Sequence, residues 1–203
     1  MASLTLTSMR LSLPYKTMET KMKRAVYSRF GQPEHVLTTE EVARPEPRPG
    51  AVLVRMVLSP IHNHDLMTIA GQYGFKPDLP AVPGTEAVGV VEALGEGVEN
   101  LQVGQRVAGG AQSTWAQYYL ADARRLVPVP ESVDDATACQ LVSMPLSAKM
   151  LLDTLGVEAG QWIALNAANG AVGKLVAQYG AALGIKVLGL VRRADAVEEL
   201  AAL

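Results

Sequence analysis

The chain has 203 residues, of which 49% are hydrophobic and 19% are charged, and its formal net charge is −2. This composition is typical of a globular protein and excludes a disordered chain or a fibre. The Lys and Arg residues are scattered, which argues against nucleic-acid binding, and no apolar run reaches the roughly 20 residues of a membrane-spanning helix. The single cysteine, Cys139, cannot form an internal disulfide, so we expect a reducing, cytoplasmic compartment.

Residues 1 to 21, MASLTLTSMRLSLPYKTMETK, are rich in Ser and Thr and carry three basic residues and one acidic residue. They lack the continuous apolar core of a secretory signal. We predict a disordered N-terminal extension that precedes a folded part beginning at Met22. The alternative is a mitochondrial transit peptide, which has a similar composition, although Pro14 interrupts any helix there.

Residues 22 to 132 have the pattern of a β domain. Short runs rich in Val or aromatic residues alternate with turn signals such as RPEPRPG, GEGVEN and VPVPES. The predicted strands are AVLVRMVL at 51 to 58, EAVGVVEAL at 86 to 94, QRVAG at 105 to 109 and WAQYYLA at 115 to 121. This spacing predicts a compact, barrel-like β domain.

Residues 133 to 203 begin with helical patterns, DDATACQLV and PLSAKMLLDTL, and continue as one βαβ unit. The apolar run WIAL at 162 to 165 is typical of a strand buried on both faces. A helix from Ala171 to Leu183 carries Val172, Val176, Tyr179 and Leu183 on one stripe, and Gly184 ends it. KVLGLV at 186 to 191 is the second strand.

The turn NAANGAVGK, residues 166 to 174, joins the first of these strands to the helix. Such a turn leaves the first N–H groups of the helix and its positive dipole end free to bind a diphosphate. Gly170 and Gly173 remove Cβ atoms where backbone meets ligand and where helix meets strand, but Ala168 stands at the first glycine of GxGxxG. The alternative is a tight helix start without a ligand; the flanking strands favour a dinucleotide.

The second strand ends in Arg192 and Arg193 rather than in the acidic residue of a typical NAD site. Two guanidinium groups suit a 2′-phosphate, so we predict NADPH as the cofactor; the alternative for either arginine is a solvated position at the start of a helix. The predicted cofactor-binding residues are Asn169, Gly170, Ala171, Val172, Gly173, Arg192 and Arg193.

Three stretches together resemble the medium-chain dehydrogenase/reductase superfamily. They are SPIHNHDLMTIAGQYGFKPDLPAVPGTEAVGVVEALGEGVENLQVGQRV, STWAQYYLADARRLVPVP and NAANGAVGK. Within the superfamily they are similar to the zinc-free branch of quinone oxidoreductases and 2-enoyl thioester reductases. The resemblance implies a GroES-like β-barrel catalytic domain followed by the start of a Rossmann dinucleotide-binding domain, with the site in the cleft between them. It also implies NADPH, a small-molecule substrate and a homodimer in a full-length form.

Zinc-containing relatives in this superfamily hold catalytic zinc through a Cys, the His of a GHE motif and a second Cys. Here His62 stands near the first position, but the motif reads Gly84-Thr85-Glu86 and Val142 falls at the third position. One ligand of three does not hold zinc against water, so we expect no metal. His62 and His64 are then expected to be cleft-lining or surface polar groups, and Cys139 is expected to pack in an apolar helix.

Tyr73, in Gly71-Gln72-Tyr73-Gly74, matches the tyrosine that takes the place of the metal in the enoyl reductases. A positioned phenol can stabilise the enolate that hydride addition creates and give it a proton. His62 replaces the asparagine of the family's PINPSD motif and Met144 replaces another asparagine. Tyr73 and His62 are the predicted catalytic residues.

Trp115 in TW, NAANGAVG and VRR favour an enoyl thioester reductase, whereas GTE is typical of quinone reductases, the alternative. A complete dinucleotide fold has about six parallel strands, and the pattern here contains two. We therefore expect a truncated chain whose two strands are left partly bare. A further alternative is a non-catalytic fragment that acts as a binding module.

Overall fold

A computed structural model describes residues 20–201. The predicted N-terminal extension, residues 1 to 21, lies outside the described residues except for its last two. The described chain contains nine strands, six helices and one 3-10 turn at Ala123–Arg125. The elements are β1 Lys21–Val26, α1 Pro33–Val36, β2 Thr38–Ala43, β3 Ala51–Leu58, α2 Asn63–Ile69, β4 Glu86–Leu94, β5 Arg106–Gly110, β6 Tyr118–Asp122, β7 Leu126–Pro128, α3 Asp135–Ala138, α4 Ser143–Leu155, β8 Trp162–Asn166, α5 Ala171–Leu183, β9 Lys186–Leu190 and α6 Asp195–Ala201.

The first seven strands form the predicted β region, and every pair among them is antiparallel. β3 and β4 form the centre of a five-stranded sheet in the order β6-β3-β4-β5-β7, and both cover the ranges predicted from the sequence. β1 and β2 form a separate two-stranded sheet. The side chains that face the interior of the larger sheet form a core whose fully buried members include Val52, Val54, Val107 and Tyr119.

The predicted barrel is wrong in one respect, because the sheets do not close. In residues 20–201 the edge strands β6 and β7 each pair on one side only, and single bridges at Arg24 with Ala116 and Tyr27 with Ala81 join the small sheet to its surroundings. β7 has three residues and ends at Pro128. Proline has no N–H to donate and is therefore confined to strand edges, which is consistent with an open sheet here.

Helix α3 packs on the antiparallel sheet. Its Ala138 and the following Cys139 are buried against Val88, Ala108 and Val129. The predicted division at residues 132 and 133 assigns this helix to the second domain, and that division remains a prediction. Packing joins α3 to the first seven strands, whereas the second core, which includes Ala148, Leu152 and Val176, begins with α4.

The βαβ unit forms as predicted. β8 and β9 are parallel, α5 runs from Ala171 to Leu183, and Gly184 ends it with a left-handed φ of 71°. Val176 is fully buried and Val172 and Tyr179 pack beside it, while Leu183, the last helical residue, is half exposed. α4 packs against α5.

WIAL is not buried on both faces in the described chain. α5 contacts one side of the pair β8 and β9, while Trp162, Leu188 and Leu190 remain more than half exposed. Within residues 20–201, no helix combines the length and the apolar composition that crossing a membrane requires.

Gly173 allows α5 to begin directly on the turn that precedes it. A Cβ at this position would lie 2.5 Å from the carbonyl oxygen of Ala168. We expect Gly173→Ala to lower the free energy of unfolding by about 1–3 kcal/mol, since overpacking outweighs the roughly 1 kcal/mol that alanine gains in a helix. Urea unfolding and amide exchange in α5 measure this. Gly110→Ala is the control, because its nearest atom would be 3.8 Å away, and equal losses in both variants would contradict the close approach.

Cys139 should react slowly in the folded chain. Burial raises the pKa of its thiol, and the charge of Glu86 adds to that rise, so the reactive thiolate is scarce at pH 8. We expect a disulfide exchange reagent to label Cys139 at least about 10-fold more slowly in buffer than in denaturing urea. Labelling at the same rate in both would mean that α3 does not stay packed on the sheet.

Candidate active site

A cavity of about 540 Å³ lies between α2, the loop that follows it and the segment leading into β4. Its wall includes His64, Tyr73 and Thr85, together with the aromatic residue Phe75 and the basic residue Lys76. The wall therefore combines apolar surface with groups that can exchange protons, as small-molecule sites usually do.

The start of α2 fixes one end of this cavity. The carboxylate of Asp65, in the first turn, accepts a hydrogen bond from the backbone N–H of His62 at 3.0 Å. In this part of a capping box, the side chain at the third helical position bonds back to the N-cap backbone. The bond orients the carboxylate of Asp65, which is buried. Thr68 Oγ1 donates to the carbonyl oxygen of His64 at 2.7 Å, one turn further along.

Asp65, Thr85 and His64 form a chain of hydrogen bonds. Thr85 Oγ1 donates to Asp65 Oδ1 at 3.0 Å, and Nε2 of His64 lies 2.8 Å from the same hydroxyl oxygen. Because the single hydroxyl proton is committed to the carboxylate, the oxygen accepts from His64. The ring of His64 is thereby held in one orientation at the cavity wall.

Gly84 brings Thr85 into this position. Its φ is +93°, a conformation that side chains rarely allow, and a Cβ would lie 2.3 Å from Thr114 Oγ1 and from Trp115 Cδ1. Thr114 is fully buried, and its Oγ1 lies 2.9 Å from Ser59 Oγ. The glycine of the GTE motif is therefore required by backbone conformation and by close packing together.

Tyr73 lies in the cavity wall, where the sequence predicts a catalytic residue. It follows Gly71, whose φ is 71°, and its backbone N–H donates to the carbonyl oxygen of Met67 at 3.2 Å. The residue is 42% exposed, and the centroid of its ring lies 5.9 Å from that of His64. The structure thus brings Tyr73 together with His64, which the sequence treats only as a polar group of the cleft or surface.

His62, the other predicted catalytic residue, lies behind His64 and is not part of the cavity wall. The two imidazole rings stack with centroids 4.9 Å apart, and the side chain of His62 is 10% exposed. Its Nε2 lies 3.1 Å from Oε2 of Glu86. In this arrangement His62 is engaged by a carboxylate, and a direct contact with substrate would require it to move.

Glu86 is the residue that sequence reasoning missed. It is fully buried, and its Oε1 accepts from the backbone N–H groups of Val142 at 2.6 Å and Ser143 at 3.0 Å. α4 starts at Ser143 without a side-chain cap of its own, so the distant carboxylate supplies one. The GTE motif draws attention to Glu86 in the sequence. It does not reveal that the carboxylate bonds to Val142, which is 56 residues away.

A second cavity, of about 440 Å³, lies at the carboxyl ends of β8 and β9. Its wall contains Asn169, Arg192 and Arg193 from the predicted cofactor-binding set, with Asn166 and Ala167 from the end of β8 and the turn after it. Arg193 also lies 3.2 Å from the carboxylate of Asp195, and both side chains are exposed. The cavity combines amide and guanidinium groups suited to a phosphate.

The remaining predicted cofactor-binding residues begin α5 beside this cavity. Gly170 is the N-cap, and no side chain caps the helix. Ala171 and Val172 form the first turn, and Gly173 is buried against Ala168. The structure therefore assigns Gly173 to helix packing and leaves the helix N-terminus available to an anion.

Zinc does not fit the residues at the predicted position. Within residues 20–201 there is no group of three or more His, Cys, Asp or Glu side chains placed to hold a metal ion. The backbone of Val142, at the position of a third zinc ligand, donates to Glu86 instead. That the protein works without zinc remains a prediction.

The chain is similar in sequence to known dehydrogenases and reductases. Residues 48–131 match the alcohol dehydrogenase GroES-like domain. The mitochondrial enoyl-[acyl-carrier-protein] reductase of Homo sapiens is 33% identical over 183 residues, which covers 89% of this chain and 49% of the human protein. The chain thus spans about half the length of the curated relatives it matches.

Solved structures with a similar fold include quinone oxidoreductases. The enzyme from Pseudomonas syringae is 34% identical with a TM-score of 0.83, over 90% of this chain and 56% of that one. The Escherichia coli enzyme, complexed with NADPH, is 26% identical with a TM-score of 0.83, over 89% of this chain and 56% of that one. The GroES-like match, these folds and the enoyl reductase relatives agree with the motifs and support the assignment to the medium-chain dehydrogenase/reductase superfamily.

Proposed function

We propose that the chain provides the substrate cavity and the phosphate-binding edge of an NADPH-dependent reductase that adds hydride to the activated C=C bond of a 2-enoyl thioester. The observation that carries the proposal is the cavity in which Tyr73 lies beside a hydrogen-bonded His64. The similarity to enoyl-[acyl-carrier-protein] reductases supports the thioester.

The residues of the second cavity suit the cofactor. NADPH, when bound, supplies the hydride, and its 2′-phosphate distinguishes it from NADH. Arg192 and Arg193 provide two permanent positive charges at the end of β9, and Asn169 provides an amide at the start of α5. The uncapped N-terminus of α5 adds N–H groups that favour a diphosphate. A bound NADPH in the E. coli quinone oxidoreductase, which shares this fold, supports the assignment.

Tyr73 and its surroundings supply the chemistry on the substrate. Hydride addition at the β-carbon leaves negative charge on the α-carbon and the carbonyl oxygen of the thioester. The phenol of Tyr73 can donate a hydrogen bond to that oxygen and pass on a proton. The half-exposed position of Tyr73 in the cavity wall allows such contact. The role of His62 is to pack behind His64 and to hold Glu86.

The alternative substrate is a quinone. Two of the solved structures that share this fold, the Pseudomonas syringae and E. coli proteins, are quinone oxidoreductases. Reduction of a quinone places the new charge on an oxygen that is readily protonated by water, so it depends less on a positioned phenol. The two substrates are therefore distinguished by how strongly the reaction depends on Tyr73.

The proposal also covers the substrate class, the cellular location and the oligomeric state. We propose a small-molecule substrate, a cytoplasmic location and a homodimer for a full-length form. The mitochondrial alternative gains support from relatives whose names place them in mitochondria. A non-catalytic binding module is the outcome if neither substrate is reduced.

The first test concerns the cofactor. We expect a full-length form to bind NADPH more tightly than NADH, and we expect its double variant Arg192→Ala with Arg193→Ala to lose roughly 10- to 100-fold of the NADPH affinity, because charged hydrogen bonds to the phosphate are lost. Isothermal titration measures both. Arg124→Ala, which removes an exposed arginine paired with Asp122, is the control. Equal affinities for the two cofactors would remove the basis for NADPH.

The second test concerns Tyr73. In a full-length form, we expect Tyr73→Phe to lower the rate of NADPH oxidation with crotonyl thioester by roughly 10²- to 10⁴-fold, the contribution of a general acid. With a small quinone the rate should change little. Tyr118→Phe, which removes a hydroxyl from β6 outside the cavity wall, is the matched control. An unchanged thioester rate in Tyr73→Phe would assign the ring to packing alone.

A further inference from the structure

We propose that His64 is a second proton donor of the substrate cavity, beside Tyr73, and that Thr85 and Asp65 are the residues that position it. The inference rests on the proposed function, because it concerns the enolate that hydride addition creates. It starts from a difference between the two cavity residues: Tyr73 lies in an exposed turn, whereas His64 is anchored through Thr85 to a buried carboxylate.

The hydrogen bonds determine which nitrogen of His64 carries a proton. Asp65 accepts at both oxygens, from the backbone N–H of His62 and from the hydroxyl of Thr85. The Thr85 oxygen therefore receives the Nε2–H of His64. Within residues 20–201, Nδ1 of His64 has no hydrogen-bond partner. The chain of bonds thus leaves Nδ1 as the nitrogen that can meet a ligand in the cavity.

The same arrangement places a buried carboxylate on the Nε2 side of His64. Nε2 lies 3.6 Å from Oδ1 of Asp65, and that carboxylate is 1% exposed. The stacked ring of His62 has its own carboxylate, Glu86, at 3.1 Å. Each imidazole therefore lies beside a buried carboxylate of its own. A protonated Nδ1 is then a donor held by a carboxylate behind it, as in triads where an acid orients a histidine.

In the proposed transfer, a proton moves from Nδ1 of His64 to the α-carbon of the substrate. Hydride addition at the β-carbon of the enoyl thioester, which NADPH would supply if bound, would move the π electrons to form an enolate. The Nδ1–H bond of the His64 imidazolium breaks, a C–H bond forms at the α-carbon, and a neutral imidazole remains. A proton from solvent restores the imidazolium. Thr85 and Asp65 keep their hydrogen bonds throughout and hold the ring in place.

The experiment measures oxyanion binding and tautomer state in the 203-residue chain without turnover. The probe is 4-nitrophenol, whose phenolate places charge on an oxygen conjugated with a planar ring, as an enolate does. Absorbance reports bound phenolate, and long-range ¹H–¹⁵N spectra report the two nitrogens of His64. We expect phenolate to bind and to shift the Nδ1 resonance. His64→Phe, which keeps the ring stacked on His62, should weaken binding roughly 10- to 100-fold.

Thr85→Val tests the positioning role. It keeps the shape of Thr85 but removes the acceptor, so we expect neutral His64 to change from the Nε2–H tautomer to a mixture, with weaker phenolate binding. Thr68→Val is the matched control, because Thr68 also lines the cavity but its hydroxyl bonds only to the backbone carbonyl of His64. It should leave the tautomer unchanged.

Three results would overturn the proposal: neutral His64 in the Nδ1–H form or in a mixture in the unmodified chain, phenolate binding that His64→Phe does not weaken, or no phenolate binding at all. The tautomer measurement on the unmodified chain stands even if a variant fails to fold. Neither readout involves NADPH, so failure here is distinct from failure of the NADPH oxidation assay that tests the proposed reductase.

Discussion

The buried carboxylate of Glu86 is the constraint on which the candidate site depends. A charged group without access to water is stable only when hydrogen bonds replace those it had with solvent. Glu86 obtains them from the ring of His62 and from the backbone N–H groups of Val142 and Ser143. The starts of α2, β4 and α4 are therefore fixed relative to one another by one side chain.

The position of Glu86 also determines what its neighbours can do. Successive residues of an extended segment point to opposite sides, and Thr85 contacts His64 and Asp65 at the cavity while Glu86 contacts the interior. Gly84 precedes both with a backbone conformation that other residues resist. The short motif Gly84-Thr85-Glu86 thus serves the cavity wall and the internal carboxylate at once. In zinc-containing relatives the middle residue is a histidine ligand; here a hydroxyl links an imidazole to a carboxylate.

Elements set by interactions between residues close in sequence could be predicted, whereas features set by distant residues could not. β3, β4 and α5 have the predicted bounds, because alternating side chains, a glycine turn and a terminal glycine are local features. The open sheet could not be predicted, since closure depends on pairing between strands far apart in the chain. The one-sided burial of β8 and β9 likewise depends on what packs against them.

The same distinction applies to the site. Tyr73, Arg192 and Arg193 could be located from motifs, and the structure places them in two cavities. The hydrogen bond between His64 and Thr85 could not be predicted from motifs, because the two residues are 21 positions apart. The sequence also carries no sign of which ring nitrogen is bonded.

The two cavities belong to different parts of the chain. The proposed reaction therefore requires that each cavity is formed and, separately, that the two are aligned. The walls of the Tyr73 cavity come from residues 24 to 113, and the walls of the arginine cavity come from residues 166 to 193. Hydride transfer requires the reacting atoms to be within about 3–3.5 Å of each other, so each cavity can be correctly formed and the reaction still fail if their alignment is lost. α4 packs against α5, which begins at the arginine cavity, and the start of α4 is bonded to Glu86. The carboxylate that orders the interior behind the substrate cavity is thus also a physical connection through which the two cavities can be aligned.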